Sequence, residues 1–291
     1  MREYEYHAPL SLERLFELAE AEGMEVRFLA GGTDLMPRIS AERNQIPRDR
    51  KPPMRIIYLG GLGLDEVTDD GESVTIGATA SLSALLDNGA VRTKLPALHE
   101  ALREMAGVSV RNTATIGGNI MNASPAADSV PPLLVLGAEC LLRSAAGERR
   151  VALSEFFTGP GKTVARPGEL LVSVTVKPGR GGSAFRKLGR RKAETLSVVN
   201  AAACVELRDG LCESVRIAVG SAAPVVVRCT GAEQALVGKK IDENSVREAG
   251  ALVVKALSPI DDIRSSAWYR ARVAPTMVAR ALLAAAERKR G

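Results

Sequence analysis

TATIGGNIMNASPAADSVPP, residues 113–132, is the stretch on which the interpretation of this sequence depends. It places two glycines, two asparagines and four serine or threonine residues between apolar neighbours, and then an aspartate and a pair of prolines. Such a stretch is too polar for a core strand and too rich in turn-forming residues for a helix. We therefore expect a long polar connection, which must satisfy its own hydrogen bonds or bind a ligand.

A second glycine pair lies in LAGGTDL, residues 29–35. Paired glycines let the backbone turn tightly and point successive N–H groups to one side, which makes an anion-binding concavity. Thr33, Thr115 and Asn119 add side-chain donors. Neither motif has the lysine of a P-loop or the spacing of a GxGxxG fingerprint. A tight turn without a ligand is the alternative for either motif, but the two together indicate a pyrophosphate, and hence a dinucleotide that spacing does not identify.

The composition is that of a globular protein with one large domain or two ordinary ones. The chain has 291 residues, of which 46% are hydrophobic and 25% charged. It has no apolar run of 18 residues, so we expect no membrane span, and its charged N-terminal segment lacks the core of a signal peptide, which predicts a cytoplasmic protein. The net charge is +5, but aromatic residues are only 3% and the basic residues are dispersed, which argues against nucleic-acid binding.

No cluster of residues indicates a metal site or acid–base catalysis. None of the four cysteines forms a CxxC pair, so we expect buried thiols rather than an iron–sulfur cluster or a zinc site. The two histidines, His7 and His99, are far apart in sequence, and no acid or nucleophile is placed to make either one catalytic, so both are expected to be structural. We therefore assign no catalytic and no metal-binding residues.

Local patterns predict a mixture of strands and helices. Ser11 caps a helix that Gly23 ends, and strands follow at MEVRFL and RIIYLG (55–60), which suggests a βαβ-like unit with a loop containing Pro47 and Pro52. Periodicity and turn signals further predict a helix with a Leu98–Leu102–Met105 stripe, a hairpin around 146–147, a strand at 169–178 and a strand near 184–188. A hairpin is predicted at 197–220, and its Asp209-Gly210 turn places Leu207 opposite Cys212. Two more helices are predicted at about 245–257 and 269–289. KPGRGG (177–182) predicts a domain boundary.

Three segments resemble the FAD-binding subunit of the molybdenum hydroxylases, the family of xanthine dehydrogenase and aerobic carbon monoxide dehydrogenase. They are FLAGGTDLMPRI, VRNTATIGGNIMNASPAADSVPPLLVLGAE and FRKLGRRKAETLSVVNAA. The most specific feature is TIGGN with an aspartate nine residues after its asparagine. The resemblance covers almost the whole chain.

The resemblance implies an α+β fold in two domains. Residues 1–178 would form an FAD-binding domain of the vanillyl-alcohol oxidase (PCMH) type, with subdomains of about 1–57 and 58–178. Residues 182–291 would form a smaller domain like that of carbon monoxide dehydrogenase flavoproteins, with a three-stranded antiparallel sheet and a helical bundle.

The resemblance also implies which residues contact FAD. The backbone of the first motif would wrap the pyrophosphate: Phe28, Leu29, Ala30, Gly31, Gly32, Thr33, Asp34 and Leu35. The second motif would hold the other phosphate: Thr115, Ile116, Gly117, Gly118 and Asn119. Single contacts would come from Met105, Asp128, Leu171 and a basic residue of FRKLG, either Lys187, which we favour, or Arg186. Some relatives attach flavin covalently through a histidine in the first glycine motif, but Asp34 stands at that position here, so we expect non-covalent FAD.

Each single contact has an alternative without a ligand. Lys187 and its neighbours could form a solvated face, Leu171 could belong to the core, and Asp128 could cap the segment before Pro131. Met105 lies where relatives can place an aromatic residue, so a stacking role is in doubt.

The resemblance implies electron transfer within a complex. A molybdopterin subunit would oxidise the substrate, a small subunit would carry two [2Fe–2S] clusters, and electrons would leave the FAD of this chain for NAD⁺ or a quinone. This chain would thus be one subunit of a heterotrimer. Two alternatives are a free-standing flavin enzyme like UDP-N-acetylenolpyruvoylglucosamine reductase, whose proton donor and loop motifs we do not find, and a nucleotide-binding scaffold protein without redox chemistry.

Overall fold

The first three strands form a small parallel sheet with the order β1-β3-β2. The computed structural model describes residues 4–42 and 53–288, so the loop predicted around Pro47 and Pro52 lies outside the described residues. The elements of this first layer are β1 (Tyr4–His7), α1 (Leu12–Ala19), β2 (Glu25–Leu29), α2 (Leu35–Glu42) and β3 (Met54–Tyr58). Ser11 caps α1 as predicted, because its hydroxyl accepts from the Arg14 N–H at 3.3 Å.

A five-stranded antiparallel sheet with the order β4-β5-β10-β6-β7 follows. Its strands are β4 (Val67–Asp69), β5 (Val74–Gly77), β6 (Glu139–Ser144), β7 (Gly147–Ala152) and β10 (Leu170–Val176), with a small β8 (Phe157–Gly159) and β9 (Lys162–Thr163) hairpin beside it. Six short helices pack on this sheet and form the largest core with it: α3 (Leu82–Asp87), α4 (Gly89–Lys94), α5 (Pro96–Glu104), α6 (Val108–Thr113), α7 (Ile116–Met121) and α8 (Val130–Val135). The predicted stripe on α5 is buried.

The last third of the chain forms an antiparallel sheet covered by helices. The strands are β11 (Gly182–Gly189), β12 (Ser197–Arg208), β13 (Leu211–Gly220) and the two-residue β14 (Val227–Arg228), and the helices are α9 (Thr230–Leu236), α10 (Glu243–Lys255) and α11 (Ala267–Glu287). The sheet thus has a short fourth strand beyond the three expected. Asp209 and Gly210 both have positive φ, and Leu207 faces Cys212 as predicted. Cys140, Cys212 and Cys229 are free, buried thiols.

The prediction that residues 113–132 contain no helix is wrong, because two helices form there. Thr115 begins α7, and its hydroxyl accepts from the Gly118 N–H at 3.1 Å. Pro131 and Pro132 occupy the first turn of α8, where a proline costs no intrahelical hydrogen bond. The polar composition therefore reflects two helix starts and a connection between them, rather than one continuous loop.

One carboxylate joins α5 to the C-terminal sheet. Glu100 accepts from the Phe185 N–H at 2.7 Å and forms ion pairs with Arg186, at 3.3 Å, and with Arg288. Arg288 also donates to the Ser183 carbonyl at 2.5 Å. Residues of three distant parts of the chain thus meet at one side chain. Among the described helices, none is both long and apolar enough to cross a membrane.

Candidate functional site

The two glycine motifs lie against each other. A Cβ atom on Gly31 would lie 1.9 Å from the Thr113 carbonyl oxygen and 2.9 Å from the Cα of Ala114. Only a glycine allows this approach. A second link joins α2 to the end of α7, since Arg38 Nη2 donates to Asn122 Oδ1 at 2.6 Å. The sequence predicted two related motifs, and the structure places them side by side.

The first motif is a turn at the carboxyl end of β2. Gly32 has a φ of 70°, which a residue with a side chain rarely adopts. The backbone N–H groups of Gly31, Gly32 and Thr33 donate to no acceptor within residues 4–42 and 53–288. Asp34 does not compete for them, because its carboxylate pairs with Arg38 Nε at 2.7 Å. The turn therefore offers a row of open donors before α2, the arrangement that binds phosphates.

The second motif has a different geometry, since its backbone donors are largely committed. The Ile116, Gly117 and Asn119 N–H groups donate to the carbonyls of Ala80, Ala78 and Thr115 at 3.1, 2.9 and 3.0 Å, which are ordinary hydrogen-bond lengths. The expected tight turn is thus the first turn of a helix. The donors that remain are the Thr115 hydroxyl hydrogen and the Asn119 amide, whose oxygen accepts from Ser129 Oγ at 2.6 Å.

A buried ion pair lies beyond the second motif. Asp128 Oδ2 accepts from Lys187 Nζ at 2.7 Å, and the two side chains are 8% and 3% exposed. The other carboxylate oxygen accepts from Ser197 Oγ at 2.5 Å and from Asn200 Nδ2 at 2.6 Å. A buried pair of this kind needs its remaining polar atoms satisfied, and Ser197 and Asn200 provide this for Asp128. Neither the capping alternative for Asp128 nor the solvated-face alternative for Lys187 agrees with this geometry.

Arg186 and Lys187 point to different partners. Arg186 Nη1 lies 3.3 Å from Glu100 and donates to its neighbouring Phe185 carbonyl at 2.6 Å. Lys187 Nζ donates to Asp128 and, at 3.0 Å, to the Glu104 carbonyl. Lys187 lines an open cleft, whereas Arg186 is not among the residues that line it.

That cleft has a volume of about 310 Å³ and a strongly cationic wall. The residues that line it are Glu104, Lys187, Leu188, Gly189, Arg190, Arg191, Lys192 and Thr195. Glu104 keeps much of its surface exposed, yet partial burial of its carboxyl group raises the pKa, an effect that the Lys187 ammonium opposes. Four cations against one carboxylate give the cleft a preference for anionic groups.

Two predicted contacts are mainly packed inside the protein. Met105 is 6% exposed, and its carbonyl accepts from Arg111 Nη1 at 2.7 Å. The same nitrogen reaches the carbonyl of Ala106, a residue with a φ of 46°. Leu171 is 2% exposed in β10, so its side chain belongs to the core and only its backbone remains for a ligand.

Sequence reasoning missed several residues that organise the site. Ser197 and Asn200 are fully buried polar residues inside the otherwise apolar run SVVNAAA, a contrast that could have marked them. Glu104, Arg111 and the Arg38–Asn122 pair had no comparable signal, because each acts through residues distant in sequence. No group of three metal-binding side chains occurs among the described residues.

The donor set fits a bound FAD. The open N–H groups at 31–33 suit a pyrophosphate, and the Lys187–Asp128 pair fixes a charged side chain in the lining of the cleft. The Arg111 Nε atom is buried without a partner beside the Met105–Gly107 segment, in the part of the chain that the structure describes. The residues present therefore agree with the expected cofactor.

Comparisons with known proteins cover nearly all of the chain. Residues 2–177 match the FAD binding domain in molybdopterin dehydrogenase, and residues 183–285 match the CO dehydrogenase flavoprotein C-terminal domain. The glyceraldehyde dehydrogenase medium chain of Sulfolobus acidocaldarius is 30% identical over 96% of this chain and 97% of its own length. A putative xanthine dehydrogenase FAD-binding subunit of Escherichia coli is 32% identical over 94% and 92%.

Solved structures give the same result. A chain of carbon monoxide dehydrogenase from Hydrogenophaga pseudoflava superposes with a TM-score of 0.90 at 30% identity and covers 97% of both chains. A chain of quinoline 2-oxidoreductase from Pseudomonas putida 86 also has a TM-score of 0.90, at 28% identity, over 98% of this chain and 97% of its own. The fold expected from the sequence is confirmed by these likenesses.

Proposed function

The chain belongs to the FAD-binding medium subunits of the xanthine dehydrogenase and carbon monoxide dehydrogenase family, and from this we propose that it is the electron-transfer subunit of a heteromeric molybdenum hydroxylase. It stands, in this proposal, between a small subunit with [2Fe–2S] clusters and an acceptor that is NAD⁺ or a quinone. A large molybdopterin subunit completes the heterotrimer. Family membership favours this role over that of a free-standing flavin reductase.

One observation carries the proposal: the approach of Gly31 to the Thr113–Ala114 backbone, which places the open N–H groups of the first motif beside α7. An oxidoreductase subunit without acid–base residues of its own needs a bound redox group. The backbone N–H groups at 31–33 are the unpaired donors that could hold such a group. FAD, when bound, supplies the one- and two-electron redox chemistry.

The residues around that place have separable roles in the proposal. The backbone at 28–35 binds the pyrophosphate, and Thr115 and Asn119 add side-chain donors to the second phosphate. Gly117 and Gly118 let α7 begin close to Ala78, since a Cβ on Gly117 would lie 2.6 Å from the Ala78 carbonyl oxygen. Lys187 holds a positive charge at the cleft, and Asp128 orients it.

The same proposal divides the chain into an FAD-binding domain at 1–178 and a C-terminal domain at 182–291. Its support is that β10 ends at Val176 and β11 begins at Gly182, in different sheets. It also places the complex in the cytoplasm, in line with the free thiols of Cys140, Cys212 and Cys229. Burial raises the pKa of Cys140 and Cys229 to about 12, so neither thiol is a reactive thiolate near neutral pH.

The first experiment is to purify the chain, record its visible absorption, and identify the nucleotide released by denaturation. We expect a yellow protein that releases FAD. Lys187→Gln is expected to weaken FAD binding about tenfold, because it removes one charge-assisted contact, whereas the matched variant Arg186→Gln is expected to bind FAD nearly as the wild type does. A folded, colourless protein that does not take up added FAD would contradict the proposal.

A further inference from the structure

The segment that leads into α11, together with the first turn of that helix, exposes large apolar side chains within a short stretch of sequence. The Ile260, Ile263 and Trp268 residues are 65%, 94% and 69% exposed, and Trp268 is the only tryptophan of the chain. We call these three residues the apolar ridge. Isolated exposed apolar residues are common, but three large ones within nine positions, one of them a tryptophan, are typical of a protein–protein contact.

The backbone of the ridge is held rigidly. Asp262 accepts from the Arg264 guanidinium at 2.5 Å and from Arg270 at 2.6 Å. Arg270 is 1% exposed and also donates to the carbonyls of Val198 and Ser221, at 3.1 and 2.6 Å. Asp261 accepts from the Ala267 N–H at 2.5 Å. A surface that is already ordered loses less entropy when it binds a partner.

Two guanidinium groups border the ridge. The Arg272 guanidinium lies over the Trp268 ring, 5.6 Å from its centre, and the Arg190 guanidinium donates to the Ile263 carbonyl at 3.0 Å. Neither arginine forms an ion pair with a carboxylate in the part of the chain that the structure describes. Asp261 and Asp262 lie in the same segment, but Arg264 and Arg270 pair with Asp262, so the groups around the ridge leave a net positive charge, complementary to a partner whose contact surface carries carboxylates.

The ridge is continuous with the cationic cleft, because Arg190 lines the cleft and also contacts the ridge. A protein seated on the ridge would consequently contact Arg190, a residue that also lines the cleft. This position suits a partner that exchanges electrons with a group bound near that cleft.

We infer that the apolar ridge is the docking surface for the iron–sulfur subunit, and that this partner presents an apolar pocket bordered by carboxylates. The inference rests on the proposed function and deepens it, since it names the face that the electron-donating subunit occupies. Ile263 and Trp268 supply the apolar area that the partner would cover, and Arg272 contributes positive charge at the border.

The test expresses the tagged chain in its native host and measures flavin and iron bound per tagged chain after purification. Iron, acid-labile sulfide and the electron paramagnetic resonance signal of reduced [2Fe–2S] clusters identify the captured subunit. We expect Ile263→Asp and Arg272→Glu to keep their flavin and to lose about tenfold or more of the iron, because the first puts a charge into the apolar contact and the second reverses a charge at its border. Val237→Asp, which alters a 53% exposed aliphatic residue elsewhere, is expected to keep both.

The outcomes separate the two proposals. Wild-type levels of iron in both ridge variants would overturn the docking surface and leave the proposed function intact. A wild-type chain that carries flavin but captures no [2Fe–2S] protein would contradict the proposed function itself. Raising the salt concentration is expected to weaken capture by the wild type more than by Arg272→Glu, because salt screens the charges at the border.

Discussion

At the scale of single residues, the buried ion pair of Asp128 and Lys187 is the central feature of the site. Their charges lie 2.7 Å apart and almost out of contact with water, and Ser197 and Asn200 complete the coordination of the carboxylate. Such a pair costs desolvation energy when it forms, so its value lies in fixing one charge at one place. Losing either partner leaves the other charge buried and alone.

We predict that Lys187→Met destabilises the chain by about 3–5 kcal/mol, because it leaves the Asp128 carboxylate buried without a counter-charge. The double variant Asp128→Asn/Lys187→Met is expected to recover much of this loss. Urea unfolding followed by circular dichroism measures both. Arg186→Met is the matched control, and its cost is expected to be smaller because Glu100 keeps Arg288 as a partner. Equal costs for Lys187→Met and the double variant would contradict the explanation.

At this scale the sequence predicted part of the site. The TIGGN motif and its aspartate, together with FRKLG, led to Asp128 and Lys187, and the structure brings the two into contact. Ser197 and Asn200 were not found, although their place in an apolar run could have marked them; their partner Asp128 lies 69 and 72 residues away, and no local pattern identifies it.

Among the elements, the packing of the first motif on the start of α7 is the most demanding contact. The backbone of Gly31 approaches that of Thr113 so closely that no side chain fits between them. Since backbone atoms form both sides of the contact, a rotamer change cannot relieve a clash there.

We predict that Gly31→Ala separates the two motifs and weakens FAD binding at least about tenfold, with a loss of stability of about 1–3 kcal/mol from overpacking. Gly89→Ala is the matched control: it begins α4, a Cβ there meets nothing within 4 Å, and we expect no loss of stability or cofactor. Flavin content and thermal unfolding measure the difference. Wild-type flavin binding by Gly31→Ala would show that the contact does not organise the site.

Element types followed the sequence wherever local chemistry dominates. The Asp209-Gly210 turn, the cap at Ser11 and the periodicity of α5 all gave correct predictions. The helices α7 and α8 were missed, because glycine and proline in their first turns resemble breakers. The start of α7 is decided by the Thr115 cap and by hydrogen bonds to Ala78 and Ala80, which lie in a different part of the sequence.

At the scale of the molecule, carboxylates that form ion pairs make the stability of the fold depend on pH. Hydrogen bonds from Arg264 keep the pKa of Asp262 below its ordinary value of 3.8, although partial burial acts in the opposite direction. Hydrogen bonds from Arg149 do the same for Glu169, whose ordinary value is 4.5. These groups therefore bind fewer protons in the folded chain than in the unfolded chain at mildly acidic pH.

We predict that stability contributed by these groups is fully present above about pH 5 and is lost as the pH falls through the lowered pKa values. The sign follows because the unfolded state takes up protons first. Asp262→Asn and Arg264→Met are each expected to flatten the loss of stability below pH 4, which urea unfolding at a series of pH values measures. An unchanged slope in both variants would contradict the role of this pair.

The junction that Glu100 forms with two arginines of the C-terminal third of the chain has a consequence for how the protein is made. Its partners Arg186 and Arg288 lie 86 and 188 residues further along the chain. During translation, the region around α5 is complete long before either arginine has been synthesised, and domains generally fold in the order in which they emerge. Until the ribosome has added Arg288, Glu100 remains a carboxylate without that counter-charge. Closure of this junction therefore comes after the region around α5 has been made, and the nascent chain must stay soluble until then.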